Sequence, residues 1–186
     1  MRVITGSAKG RTLRSVPGDA TRPIADRVKF ALFSILASVE LIAGRRYLDL
    51  FGGTGAVGIE ALSRGAAEAV FCERDRRALL TLRRNLQETG LADRGEIIAG
   101  DAFAYLARPD LRPFDVIYIA PPQYQGLWLA ALTAVDGRPE LLTADGQAIV
   151  QVFPKEWTGP TLTNLELADR RQYGSTALFF FHLAAR

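Results

Sequence analysis

The sequence predicts an α/β fold: a doubly wound, mostly parallel, seven-stranded sheet finished by an antiparallel terminal hairpin. Three observations point there. Residues 47–65, YLDLFGGTGAVGIEALSRG, pass from an apolar strand through a cluster of glycines into a helix. Downstream, apolar runs of strand length alternate with stretches of helical periodicity, the pattern of parallel strands joined by helical crossovers. The chain then ends in two strand-like runs, residues 165–173 and 176–183, joined at Gly174. A chain of 186 residues suits one such domain and is too short for two ordinary ones.

The chain opens on Arg2-Val3-Ile4-Thr5 and Arg11-Thr12-Leu13-Arg14, which flank Gly6-Ser7-Ala8-Lys9-Gly10 as two short strands around a turn. A hairpin this short is unstable alone and must dock on the domain or its substrate. Thr21-Arg22-Pro23 leads into a helix over residues 24–39, with Val28, Leu32, Ile35, Leu36 and Val39 at helical spacing. Residues 1–23 therefore read as a basic extension and 24–186 as the domain. After Arg45-Arg46 comes the first central strand, 47–51, and the helix that starts near Ala56 closes at Arg64-Gly65. Ala69-Val70-Phe71-Cys72 make a second strand, and residues 76–87, with Leu79, Leu80, Leu82 and Leu86, a surface helix with a core face. Residues 96–99 form a third strand, followed by a helix over 102–106 that Asp101 is placed to cap. The fourth strand, 114–119, runs into Ala120-Pro121-Pro122-Gln123-Tyr124, where paired prolines stiffen the chain and leave carbonyls without ladder partners. A helix over 127–135 and a fifth strand over 147–153 complete the parallel part.

Gly52, Gly53, Gly55 and Gly58 sit where the strand must turn into the helix, a place where positive φ and close approach of a ligand favour glycine. GTGAVG is a formal dinucleotide pattern, and Glu73, ending the second strand, stands where an acid holds ribose hydroxyls. Asp49 argues for a different nucleoside. A carboxylate ahead of the glycines suits the cationic sulfonium and ammonium of S-adenosylmethionine better than an anionic pyrophosphate. Asp101 ends another strand at the same edge, within reach of an adenine amino group.

Residues 1–29 carry seven bases, Arg2, Lys9, Arg11, Arg14, Arg22, Arg27 and Lys29, against Asp19 and Asp26, whereas the formal net charge of the whole chain is only +3. The excess at one end is the footprint of a protein that grips phosphates. A single cysteine cannot form an internal disulfide, and no apolar run approaches the length of a membrane span, so a cytoplasmic location is expected. Cys72 reads as a small core residue and His182 as a structural residue of the last strand; nothing implies a metal.

On RVITGSAKGRTL, TRPIADRVKFALFSIL, LDLFGGTGAVGIEALSRGA, FCERD and GDAF, the chain resembles the RsmD-type family of Rossmann-like class I methyltransferases, which modify guanine N2 in small-subunit ribosomal RNA. The resemblance covers nearly the whole length. It implies S-adenosylmethionine as cofactor, held by Asp49, Phe51, Gly52, Gly53, Thr54, Gly55, Glu73, Arg74, Asp101 and Ala102. It implies an RNA-contacting arm of Arg2, Lys9, Arg11, Arg14, Arg22 and Arg27, and as partner ribosomal RNA or a small-subunit assembly particle, met by a monomer. The catalytic segment would be Ala120, Pro121, Pro122, Gln123 and Tyr124. Here the chain departs from the family, whose members carry Asp or Asn, two prolines and an aromatic. Ala120 removes the side-chain acceptor, leaving the Ala120 and Pro121 carbonyls, with Gln123 and the displaced Tyr124 as substitutes. Two alternatives stay open: an RNA-binding assembly factor that has lost turnover, and a nicotinamide dehydrogenase suggested by GTGAVG.

Overall fold

A computed structural model of the chain describes residues 1–16 and 24–185. Its strands are β1 (Arg46–Asp49), β2 (Glu68–Glu73), β3 (Gly95–Ala99), β4 (Phe114–Ile119), β5 (Leu142–Val152), β6 (Leu165–Tyr173) and β7 (Thr176–Leu183). The helices are α1 (Asp26–Ser38), α2 (Ala56–Ser63), α3 (Arg76–Thr89), α4 (Ala102–Leu106) and α5 (Leu127–Asp136). The strands form one sheet in the order β3-β2-β1-β4-β5-β7-β6. The first five are mutually parallel, and β7 lies antiparallel between β5 and β6. The predicted doubly wound sheet with its terminal hairpin is therefore present. The chain order reverses direction between β1 and β4, which makes the end of those two strands the switch point where α/β sheets receive ligands.

Helices cover both faces, so the central strands read as apolar runs rather than alternations. One core packs Leu32, Phe33, Leu36, Ile59, Leu62, Phe71 and Leu82. The other packs Leu106, Phe114, Trp128, Leu132, Phe179 and Phe181. Most predicted boundaries hold within two residues; β5 is the exception, starting at Leu142. Its pairing with β4 jumps from Phe114↔Leu142 to Val116↔Gln147, so the extra residues are extended but pair irregularly. Beyond the end of β1 at Asp49, Leu50 N–H still donates to Tyr118 O and Gly52 N–H to Cys72 O, and the turn closes with Gly55 N–H on Gly52 O.

The N-terminal hairpin is reduced to one antiparallel bridge, Arg2↔Thr12. Its stability comes from docking instead. Val3, Ala8 and Leu13 are buried in the first core. Ile4 and Thr5 N–H donate to the two carboxylate oxygens of Glu60 at 2.8 and 3.0 Å, and Ser63 Oγ donates to Thr5 O while accepting from Ala8 N–H. At Gly6 a Cβ would lie 1.8 Å from Ser63 O, so this approach demands glycine. The expected division at residue 23 falls outside the described residues.

Candidate nucleoside and RNA site

The turn after β1 uses its glycines for different purposes. Gly53 has φ +53°, and a Cβ there would meet nothing closer than Phe51 O at 3.9 Å, so its backbone lies open to a ligand. Gly55 caps α2 at φ +81°, where a Cβ would stand 2.4 Å from Leu82 Cδ1. A Cβ on Gly58 would stand 2.2 Å from the Phe71 ring. Gly55 and Gly58 thus let the helix sit tightly on the sheet, and Gly53 leaves room for a guest. Thr54 contributes its carbonyl, which accepts from Asn85 Nδ2 at 2.8 Å, and Phe51 packs half-buried on the second core.

Asp49 is buried and accepts Gly58 N–H at 3.3 Å. Burial pushes its carboxyl up to about 7, the Gly58 hydrogen bond pulls the other way, and the nearby Glu73 charge adds to the rise. A neighbouring cation would reverse that rise. Glu73 is tied to the turn: Oε2 accepts Gly53 N–H at 2.9 Å, and Oε1 accepts the N–H groups of Arg74 and Asp75, both at 2.8 Å. Asp101 caps α4, its Oδ1 accepting from Phe103 and Ala104 N–H, while Oδ2 lies 3.9 Å from Arg74 Nη1. Since β2 and β3 pair Glu73↔Ala99, the two acids project from neighbouring strand ends. Asp49, Gly53, Glu73, Arg74, Asp101 and the buried Ala102 therefore line one sheet edge.

Ala120 to Tyr124 leave β4 at the same edge. Ala120 packs against the first core, Pro122, Gln123 and Tyr124 are exposed, and Tyr124 has 70% of its surface accessible and φ +60°. A non-glycine residue holds that conformation only when its surroundings enforce it. Here Tyr124 N–H donates to Glu156 Oε2 at 2.7 Å, and its ring lies 6.0 Å from Phe153. The segment after β5 is itself fixed by Trp157, stacked between Trp128 and Phe179. Sequence reasoning missed Phe153 and Glu156. Their only signal was position just past β5, the neighbour of β4.

Of the arm residues, Arg2, Lys9, Arg11, Arg14 and Arg27 are exposed, and Arg22 lies outside the described residues. Arg2 stands 3.8 Å from Asp26, and Arg14 is bound to Glu88. Lys29, counted with the basic end, is instead fully buried: Nζ donates to Arg2 O at 2.6 Å and pairs with Glu60 at 3.3 Å. Its spacing to Leu32, Phe33 and Leu36 on the core stripe of α1 was the clue. Burial lowers its pKa, opposed by the Glu60 charge. Asn85, buried on α3, also went unread. It accepts Arg14 N–H at 2.8 Å and donates to Arg14 O at 3.2 Å and Thr54 O, tying arm to glycine turn.

Cys72, His182 and Asp115 stay outside the site. Cys72 is buried, which pushes its thiol up to about 12, and His182 pairs with Glu166 at 2.6 Å. Asp115 binds Arg45, the Arg46 N–H and Thr143 where β4 begins. Among the described residues no cluster of three or more His, Cys, Asp or Glu could hold a metal, and no helix is long and apolar enough to cross a membrane. A concavity of about 970 Å³ is lined by Gly6, Gly44, Arg45, Arg64 and Gly65, at the opposite end of β1 from the glycine turn.

Residues 1–182 match the family model described as conserved hypothetical protein 95. YlbH of Bacillus subtilis is 34% identical over 183 residues, 97% of this chain and 98% of that protein. Ribosomal RNA small subunit methyltransferase D of Buchnera aphidicola is 31% identical over 164 residues, 84% of this chain and 83% of its own. Among solved structures, YhhF of Escherichia coli superposes with a TM-score of 0.84 at 32% identity, covering 100% of this chain and 99% of that one.

Proposed function

The chain belongs to the RsmD-type rRNA methyltransferase family, and on that premise we propose that it transfers a methyl group from S-adenosylmethionine to the exocyclic N2 of a guanine in small-subunit ribosomal RNA. The observation that carries the reading is the row formed by Gly53, Glu73 and Asp101 along one sheet edge, beside a proline-stiffened lip. The open backbone at Gly53 and the buried carboxylate of Asp49 fit a cationic nucleoside. Asp49, Phe51, Gly52, Thr54 and Gly55 would surround its amino-acid end, Glu73 and Arg74 its ribose, and Asp101 and Ala102 its adenine. When bound, the sulfonium supplies an electrophilic methyl group.

Guanine N2 is a weak nucleophile because its lone pair is delocalised into the ring. The site must therefore hold its N–H groups and turn the lone pair toward the methyl. The carbonyls of Ala120 and Pro121 are the acceptors on the lip, the two prolines keep it rigid, and Gln123 and Tyr124 border it. The amine becomes reachable only once the base is out of its stack, so the target is an unpaired guanine, free or in a small-subunit assembly particle. Arg2, Lys9, Arg11, Arg14, Arg22 and Arg27 hold the flanking phosphates. The acting species is a cytoplasmic monomer. Labelled methyl transfer to methyl-deficient small-subunit RNA tests the reading; cofactor binding without any incorporation rejects it. Ala120 favours one second reading, an assembly factor without turnover, and Ala120→Asp separates the two by creating activity only where the wild type has none.

A further inference from the structure

We propose that Glu156 is a further acceptor, beside the Ala120 and Pro121 carbonyls, that recognises the exocyclic amine of the target guanine, taking over from the side chain that Ala120 lacks; this rests on the reading of the lip as a guanine site. β4 and β5 are parallel neighbours with Ile119 opposite Val150, so residues 120–124 and 153–157 leave the same sheet edge side by side. The carboxylate is already part of the lip, because its Oε2 holds the Tyr124 N–H at 2.7 Å. Its Oε1 is buried and has no hydrogen-bond partner among the described residues.

A buried acceptor without a donor is destabilising, and a ligand that supplies the donor relieves that cost. An ionised carboxylate only accepts. The Watson–Crick edge of guanine offers donors alone at N1 and N2, whereas adenine presents an acceptor at N1 and cytosine one at N3. Glu156 therefore matches the paired donors of guanine and opposes the ring-nitrogen acceptors of the other two. Its placement is firm at both ends: Tyr124 fixes one oxygen, and Trp157, the next residue, is stacked between Trp128 and Phe179. Such a preorganised acceptor needs little rearrangement when the base docks.

Glu156→Gln gives a discriminating variant, since the amide oxygen can keep the Tyr124 bond while the NH₂ replaces the unpartnered acceptor with a donor. The probe is a hairpin RNA with a single loop guanine, compared with the same RNA carrying inosine there, which lacks only the exocyclic amine. Binding is read by fluorescence anisotropy with S-adenosylhomocysteine present. Wild type should prefer guanine about tenfold or more, the worth of one hydrogen bond to a charged group. Glu156→Gln should lower that preference by about tenfold while unchanged Tyr124 amide exchange reports an intact lip. A preference undiminished in Glu156→Gln, or absent from wild type, overturns the proposal. A clear preference without labelled methyl transfer to the guanine RNA instead removes the methyltransferase reading and leaves the recognition role standing.

Discussion

Asp49 and Gly58 show how single residues set the glycine turn. The unfolded Asp49 ionises near 3.9, whereas in the fold burial holds its carboxyl up at about 7. Between those values the folded state binds the extra proton, so Asp49 costs the ligand-free protein stability as pH rises from about 4 to about 7. Asp49→Asn should flatten that fall in urea midpoints measured across the same range. A cation beside Asp49 favours the ionised form, so S-adenosylmethionine binding at pH 6 should release a proton. Calorimetry in two buffers of different ionisation heat would show unequal enthalpies for wild type and equal ones for Asp49→Asn. Gly58→Ala drives a methyl to within 2.2 Å of the Phe71 ring. It should cost about 1–3 kcal/mol, read as a lower urea midpoint at constant slope.

At the scale of elements, the arm, α1, α2 and α3 are joined by polar bonds between buried groups. Lys29 of α1 and Arg64 share the carboxylate of Glu60 on α2, which also receives two arm amides. Lys29→Met removes one cation but leaves Arg64 in place, so the expected loss is about 2 kcal/mol, below the full cost of an orphaned buried charge. Limited proteolysis should then cut the arm faster. Asn85→Leu strips Arg14 and Thr54 of their partner, with an expected loss of about 2 kcal/mol by urea denaturation. Because Asn85 touches both arm and glycine turn, the same variant should weaken RNA and S-adenosylmethionine binding together. If only one affinity falls, the two sites are not coupled through α3. Asn85 lies seven residues beyond Ala78 and three beyond Leu82 on the buried stripe of α3, so its burial was legible while its partners were not.

For the molecule as a whole, the exposed bases of the arm and the near-neutral remainder make RNA binding a matter of counterion release. Replacing Lys9, Arg11 and Arg14 with Ala should lower the slope of log affinity against log salt by about 2, at roughly 0.7 per lost phosphate contact with single strands. An unchanged slope removes the arm from the interface. The sequence alone determined the sheet, its crossovers, the glycine turn, the two strand-end acids and the terminal hairpin, because apolar period and backbone permission are written within a few consecutive residues. Only the tertiary structure decided that Lys29 is buried on Glu60, that Arg14 meets Asn85 across 71 residues, and that Tyr124 is held by Glu156 across 32. Those pairs join segments far apart in the chain, and a polar group's partner depends on how helices and strand ends pack in space, which no local pattern encodes.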